Sequence, residues 1–300
     1  MAPLSTVQKA SLLLALAMAA LAAAPSSAVA AADGKADARG RSPAIDDAQI
    51  LRSIDTQAAR LIEAGKTRPT AELIGQLSRK SCDLRLPKPY AKAMAADELY
   101  DRCRKSVLIL AGIYKCDKCS KNHASTATGF VLSESGAAAT NYHVVNAPKN
   151  ITLLAMTAEG AVYPVKEVLA ASAAYDVAIV QLDASGLVPA AVTPNAPVGS
   201  DVFVISHPDR RFFTLSRGIV ARYGTMVRDR QKVPILQITA EYAKGSSGGP
   251  VLSSAGNAVG MVSSTVSVYY TEDHGKQENL QMVFNQCVPA EQILDLIKPR

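Results

Sequence analysis

Six residues, Gly245-Ser246-Ser247-Gly248-Gly249-Pro250, have the make-up of a reactive loop. A serine hydroxyl attacks a carbonyl only when a base takes its proton and donors hold the oxyanion that forms. Glycines on both sides of Ser247 let the backbone turn tightly, so that successive N–H groups face one point. Those of Gly245 and Ser247 are the natural oxyanion donors. A base and its orienting partner occur upstream. Thr140-Asn-Tyr-His143-Val-Val places a histidine at the end of an expected strand, and Ala174-Tyr-Asp176-Val-Ala-Ile-Val places an aspartate just before a buried one. Taken singly, these are a Gly/Ser turn, a surface histidine and a turn-forming aspartate. In the order His, Asp, Ser they match one of the convergent arrangements of a nucleophilic triad. The chemistry is acyl transfer: Ser247 attacks, His143 accepts and returns the proton, and Asp176 orients the imidazole. That chemistry requires no metal and no organic cofactor.

Short β-rich runs must position these groups. Val107–Tyr114, Gly129–Ser133, Ala138–Val145, Ile151–Met156, Val177–Leu182 and Val202–Ser206 read as strands, as do Gly218–Tyr223, Pro234–Ile238, Pro250–Leu252, Ala258–Ser263 and Gln281–Phe284. Many short strands between turn signals predict barrels or sandwiches rather than βαβ units. Ahead of them, Ile50, Leu51, Ile54, Ala58, Leu61 and Ile62 recur at helical spacing, with Gly65 where the helix stops. Shorter helices are expected after Pro69 and from about Ala95 to Lys105. Pro289 opens a closing helix expected over 289–298.

Residues from about Ser106 to Ile297 resemble the trypsin-like, chymotrypsin-fold serine peptidases, and within them the bacterial branch that includes the high-temperature-requirement (Deg) proteases. The resemblance rests on Thr126-Ala-Thr-Gly129-Phe-Val-Leu, Thr140-Asn-Tyr-His143-Val-Val, Asp176-Val-Ala-Ile-Val, Gly245-Ser-Ser247-Gly-Gly-Pro and Val262-Ser263-Ser264. It implies an all-β core of two packed antiparallel six-stranded barrels, with the triad in the cleft between them, a helical N-terminal extension and a C-terminal helix. The implied activity is endopeptidase action on protein or peptide substrates. The alternative is a catalytically silent protein of the same fold that holds a partner in its cleft. Glu241, six residues before Ser247, would stand at the base of the primary specificity pocket, where an acid favours Arg or Lys. A solvent-facing Glu241 is the competing expectation. Ser263, Ser264 and Thr265 would form one wall of that pocket. Ser246 replaces the acidic residue that pairs with a freed N-terminus in digestive members, so activation by an inserted N-terminus is not expected. The chain ends at Arg300, and a peptide-binding PDZ module is not expected.

The domain organisation follows. Residues 1–30 read as a signal peptide: Lys9, an apolar run from Leu12 to Ala24, and a cleavage site at Ala28-Val29-Ala30. A flexible lead spans 31–44, the helical extension 45–105 and the peptidase domain 106–300, with barrel one about 106–190 and barrel two about 191–288. A secreted or periplasmic location is expected, with no transmembrane span in the mature chain. Nearly half the residues are hydrophobic and the formal net charge is +6. The basic excess forms no tract with interleaved aromatics, so nucleic-acid binding is not expected. Arg210, Arg211, Arg217, Arg222, Arg228, Arg230 and Lys232, against Asp209 and Asp229, read as a solvated hairpin face. His207 and His274 lie in turn-like contexts and are expected at the surface. Export favours disulfides, and Cys82–Cys103 is the expected pair among the five cysteines. Cys116-x-x-Cys119-x-x-x-His123 has donors of the types zinc takes, but a structural site normally has four. A disulfide within this set, or from one of its cysteines to Cys287, is favoured, and no metal is expected.

Overall fold

The computed structural model describes residues 44–298, apart from Ser120, Asn195, Asp229, His274 and Gly275. The signal peptide, nearly all of the expected lead and His274 therefore lie outside the described residues. The apolar stripe beginning at Ile50 forms α1 (Asp47–Glu63), capped by Asp46, whose carboxylate accepts the Gln49 N–H at 2.8 Å. Gly65, at φ 64°, takes the left-handed conformation that releases the chain. Helix α2 (Thr70–Gly75) follows Pro69, β1 (Cys82–Asp83) comes next, and α3 (Ala96–Cys103) leads into the barrels. These helices are not a loose arm. Ile54, Ala58, Leu99 and Cys103 are buried in one core cluster with Val107, Ile109, Phe212 and Phe213.

Barrel one closes in the order β2 (Val107–Lys115), β3 (Asn122–Val131), β4 (Ala137–Thr140), β7 (Val177–Leu182), β6 (Val162–Ser172) and β5 (Asn150–Met156). Barrel two closes as β8 (Asp201–Ser206), β9 (Thr214–Arg228), β10 (Gln231–Ile238), β13 (Lys276–Pro289), β12 (Ala258–Asp273) and β11 (Pro250–Ser253). The two-barrel expectation is met. Details differ. The strand expected over Ala138–Val145 stops at Thr140, and His143 sits in a one-turn helix, α4 (Tyr142–Val145). Strand β6 was not legible because its register against β7 shifts twice, between Val165 and Glu167 and between Val168 and Ala170. Such bulges break the alternation that marks a strand. Strands β12 and β13 run well beyond the core as a long hairpin, with Tyr270, Leu280 and Met282 exposed. The closing helix is only α5 (Ala290–Leu294). The chain then extends as β14 (Ile297–Lys298), parallel to β1.

That pairing separates two cysteines expected to bridge. Cys82 is drawn to the chain end, its Sγ 3.6 Å from the Leu296 carbonyl, while Cys103 faces the Gly256 carbonyl of a barrel-two turn at 3.7 Å. All five cysteines are free, and the Cys82–Cys103 disulfide is not made. Burial pushes both thiols up to about 11. Cys287 is buried beside the Tyr242 hydroxyl, 3.7 Å away.

His207 corrects another expectation, for it is fully buried at the seam of the barrels. The Phe213 N–H donates to its Nδ1 at 3.0 Å, so the ring proton belongs on Nε2, 3.1 Å from the Leu108 carbonyl of barrel one. Phe212 and Phe213 pack against the ring. Burial, outweighing the backbone bonds, lowers its pKa to about 3. Between the unfolded value of about 6.5 and that folded value, only the unfolded chain binds this proton. Stability is therefore complete above pH about 6.5 and falls as pH drops toward 3. Denaturant melts at pH 7 and pH 5 should show this loss, and His207→Gln, which cannot titrate, should flatten it. An unchanged slope in the variant would rule the assignment out.

Candidate active site

Asp176 precedes β7 at φ 58°, a left-handed conformation that aspartate tolerates better than most residues. A turn bond from its own N–H to the Ala173 carbonyl and a bond from Asn141 Nδ2 to its carbonyl hold it there. Its carboxylate is almost fully buried. His143 Nδ1 lies 3.0 Å from both oxygens, the His143 backbone N–H donates to Oδ1 at 3.1 Å, and Ser263 Oγ donates to Oδ2 at 2.8 Å. Burial on its own raises the carboxyl pKa, but the His143 contacts and the Ser263 hydroxyl outweigh it and hold the group below the ordinary aspartate value. With Nδ1 engaged, Nε2 is the imidazole nitrogen available to the cleft.

Ser247 lies in the loop between β10 and β11, with its hydroxyl 3.5 Å from the Ser263 carbonyl. It makes no hydrogen bond to His143, but both line one cavity of about 220 Å³ together with Lys244, Gly245, Leu110 and Ser125. Serine–base contacts often tighten only once substrate is bound. The loop backbone is better defined. The Lys244 carbonyl accepts the Asp209 N–H at 2.6 Å, and the Ser246 carbonyl accepts the Gly249 N–H at 2.9 Å. In a trans peptide the N–H points opposite to the C=O. The N–H groups of Gly245 and Ser247 are thus turned away from those contacts, and neither meets an acceptor among the described residues. Gly245 has φ 100°, and a Cβ there would collide with the His207 carbonyl. Only glycine fits.

Thr128 is a positioning residue that motif reasoning passed over. It is fully buried on β3; its Oγ1 donates to the Gly245 carbonyl at 2.8 Å and its N–H to the Ser247 carbonyl at 2.8 Å. Thr140 Oγ1 in turn donates to the Thr128 carbonyl. Only its place in a Thr-x-Thr-Gly strand hinted at this.

Of the two expectations for Glu241, the solvent-facing one describes its position. Glu241 is exposed, and its backbone carbonyl accepts the Ser216 hydroxyl. Ser263 serves Asp176. Ser264 is half-buried, and Thr265 is exposed. The side chain that turns inward is Tyr242, whose hydroxyl lies 2.9 Å from the Ser264 carbonyl and 2.8 Å from the Gln286 carbonyl, between β12 and β13. The basic hairpin is mostly exposed, with Arg211 paired to Asp209 and Arg217 to Asp201.

A family profile described as a trypsin-like peptidase domain matches residues 127–261, a span that contains His143, Asp176 and Ser247. The chloroplastic Protease Do-like 1 of Arabidopsis thaliana is 29% identical over 144 residues, 45% of this chain and 32% of its own. A probable periplasmic serine endoprotease, DegP-like, of Pseudomonas savastanoi pv. phaseolicola is 30% identical over 140 residues, 46% of this chain and 28% of its own. The match thus spans about a third or less of the length of these curated relatives. Among solved structures, the HtrA-type protease AlgW with decapeptide superposes with a TM-score of 0.55 at 16% identity, over 67% of this chain and 66% of that one; the likeness is one of fold.

Thr128→Val keeps the shape of the side chain and removes one donor from a buried carbonyl, a change that costs about 1–3 kcal/mol. If Thr128 orients the loop, turnover of a peptide substrate should fall more than KM rises. An unchanged turnover number with a merely lower melting temperature would reduce Thr128 to a packing residue.

Proposed function

Because the chain carries a trypsin-like peptidase domain related to the HtrA/Deg proteases, we propose that it is an exported serine endopeptidase that works through an acyl-enzyme on Ser247. The peptidase domain is read as 106–300. His143 Nε2 takes the Ser247 proton as Oγ attacks the scissile carbonyl, then protonates the leaving amine. Asp176 keeps the proton of the neutral imidazole on Nδ1 and stabilises the imidazolium. The N–H groups of Gly245 and Ser247 receive the oxyanion, an interaction whose loss typically lowers kcat roughly 10²–10³-fold. Water then attacks the acyl-enzyme through the same base. What supports this reading is the pair of loop carbonyls turned to Asp209 and Gly249, which leaves the N–H groups of Gly245 and Ser247 without an acceptor among the described residues, in a loop that lines the cavity shared by Ser247 and His143. Export rests on the apolar leader in the sequence and on periplasmic relatives. Among the described residues no helix is long and apolar enough to cross a membrane.

Tyr242 packs against the barrel-two core and Glu241 stays at the surface, so Glu241 gives no selection for Arg or Lys before the cleaved bond.

Ser247→Ala should abolish fluorophosphonate labelling and peptide hydrolysis and keep the fold, while Ser246→Ala, whose buried hydroxyl bonds Ser206, should keep most activity. Labelling that persists in Ser247→Ala would sink the proposal, and an unlabelled wild-type chain would favour the silent partner-binding alternative. In substrate profiling, a wild-type preference for Arg or Lys before the scissile bond would contradict this reading of Glu241.

A further inference from the structure

The turn joining β2 to β3 contains groups that peptide hydrolysis does not use. Cys116 directly follows β2, Cys119 lies in the turn, and His123 is the second residue of β3, paired across the hairpin with Tyr114. One ligand atom from each of the three lies within 4.8 Å of the others, and Cys119 Sγ is 3.1 Å from His123 Nε2. A tetrahedral ion with metal–sulfur bonds of about 2.3 Å and metal–nitrogen bonds of about 2.0 Å holds its ligand atoms roughly 3.5–3.8 Å apart. Small side-chain rotations bring these three atoms to that spacing. The backbone is already arranged for it: the Cys116 N–H donates to the Lys121 carbonyl at 3.3 Å, closing the turn, and the Lys118 N–H points at Cys116 Sγ at 3.4 Å. An N–H aimed at sulfur favours the thiolate that a metal requires.

We propose that Cys116, Cys119 and His123 bind one thiolate-seeking metal ion, Zn2+ being the reference ion, at the tip of this hairpin, with water in the fourth position. The competing use of the two cysteines is a disulfide. It would leave the imidazole without a purpose, whereas the ring stands within ligand distance of a free thiol. The other three cysteines are held elsewhere: Cys287 beside Tyr242, Cys103 facing Gly256 and Cys82 at the Leu296 carbonyl. The position gives the ion a consequence. Strand β3 runs from His123 to Thr128, and Ser125, Thr126 and Ala127 line the cavity that holds Ser247. An ion that clamps the turn fixes both strands of the hairpin at one end, while Thr128 grips the oxyanion loop at the other. With three protein ligands and a water the site differs from the usual four-ligand structural kind, yet none of its ligands takes part in peptide hydrolysis, and its effect is on the hairpin.

The test uses the full chain, purified under reductant without oxygen, stripped with a chelator and titrated with Co2+. One equivalent should produce thiolate-to-cobalt charge-transfer absorption, one equivalent of Zn2+ should displace it, and the metal should raise the melting temperature. Cys119→Ser and His123→Ala should each weaken Zn2+ binding by at least the roughly 10–100-fold that loss of a ligand's hydrogen-bonding neighbour produces. Circular dichroism of the metal-free variants should match that of the metal-free parent, which separates lost ligation from lost folding. The readout is the metal, so the result stands whether or not Ser247 is the nucleophile. No cobalt absorption, binding that both substitutions leave unchanged, or a Cys116–Cys119 disulfide that forms in the presence of excess Zn2+ would overturn the proposal.

Discussion

A carboxylate removed from water persists as an anion only where donors replace the water it lost. Asp176 meets that requirement with donors from both barrels: the backbone and ring nitrogens of His143 from one side, the Ser263 hydroxyl from the other. Removing one partner from such a buried charged group typically costs several kcal/mol. Barrel one holds the imidazole at Nδ1 through its own Asp176, and the docking of barrel two brings the Ser263 hydroxyl that completes the shell around that carboxylate.

Other bonds across the seam follow the same logic. Thr128 of barrel one holds the carbonyls of Gly245 and Ser247 in barrel two, and His207 of barrel two reaches the Leu108 carbonyl of barrel one. The helical extension joins in at the segment 207–213. Asp47 accepts the Phe212 N–H, and the Tyr100 hydroxyl donates to the Phe213 carbonyl. In the same segment the Asp209 N–H engages the Lys244 carbonyl and so turns the Gly245 N–H away from that contact. Residues far apart in sequence thus meet around one short loop, and the extension packs against the segment that holds it.

Legibility in the sequence followed the locality of each constraint. The candidate triad was readable because nucleophile, base and orienting acid are confined to few residue types, and each sits in a short run with its own turn chemistry. Helix α1 was readable from its stripe and its cap. Strand β6 was hidden by its two bulges, and the outer part of β12–β13 by polar residues that pair across the hairpin without facing a core. His207 misled because Ser-His-Pro looks like a turn. Its burial depends on Leu108, Phe212 and Phe213, a set that only the tertiary fold assembles. Thr128 and Ser263 were missed as positioning groups for the same reason, since their partners lie more than eighty residues away. Cys82 and Cys103 were paired by proximity in sequence, while a parallel contact with the chain end decides where Cys82 goes.

The central claim is that the loop 244–249 of barrel two presents a formed oxyanion site to a serine served by the His143–Asp176 pair of barrel one. A crystal structure of the protein inhibited by a fluorophosphonate tests it most directly. The account predicts phosphorus bonded to Ser247 Oγ, and a phosphonyl oxygen about 2.7–3.1 Å from the N–H groups of both Gly245 and Ser247. His143 Nε2 should lie beside the phosphonate, with Nδ1 still on Asp176. A phosphonyl oxygen turned away from Gly245, with the Lys244 carbonyl swung off Asp209 and into the cleft, would contradict it.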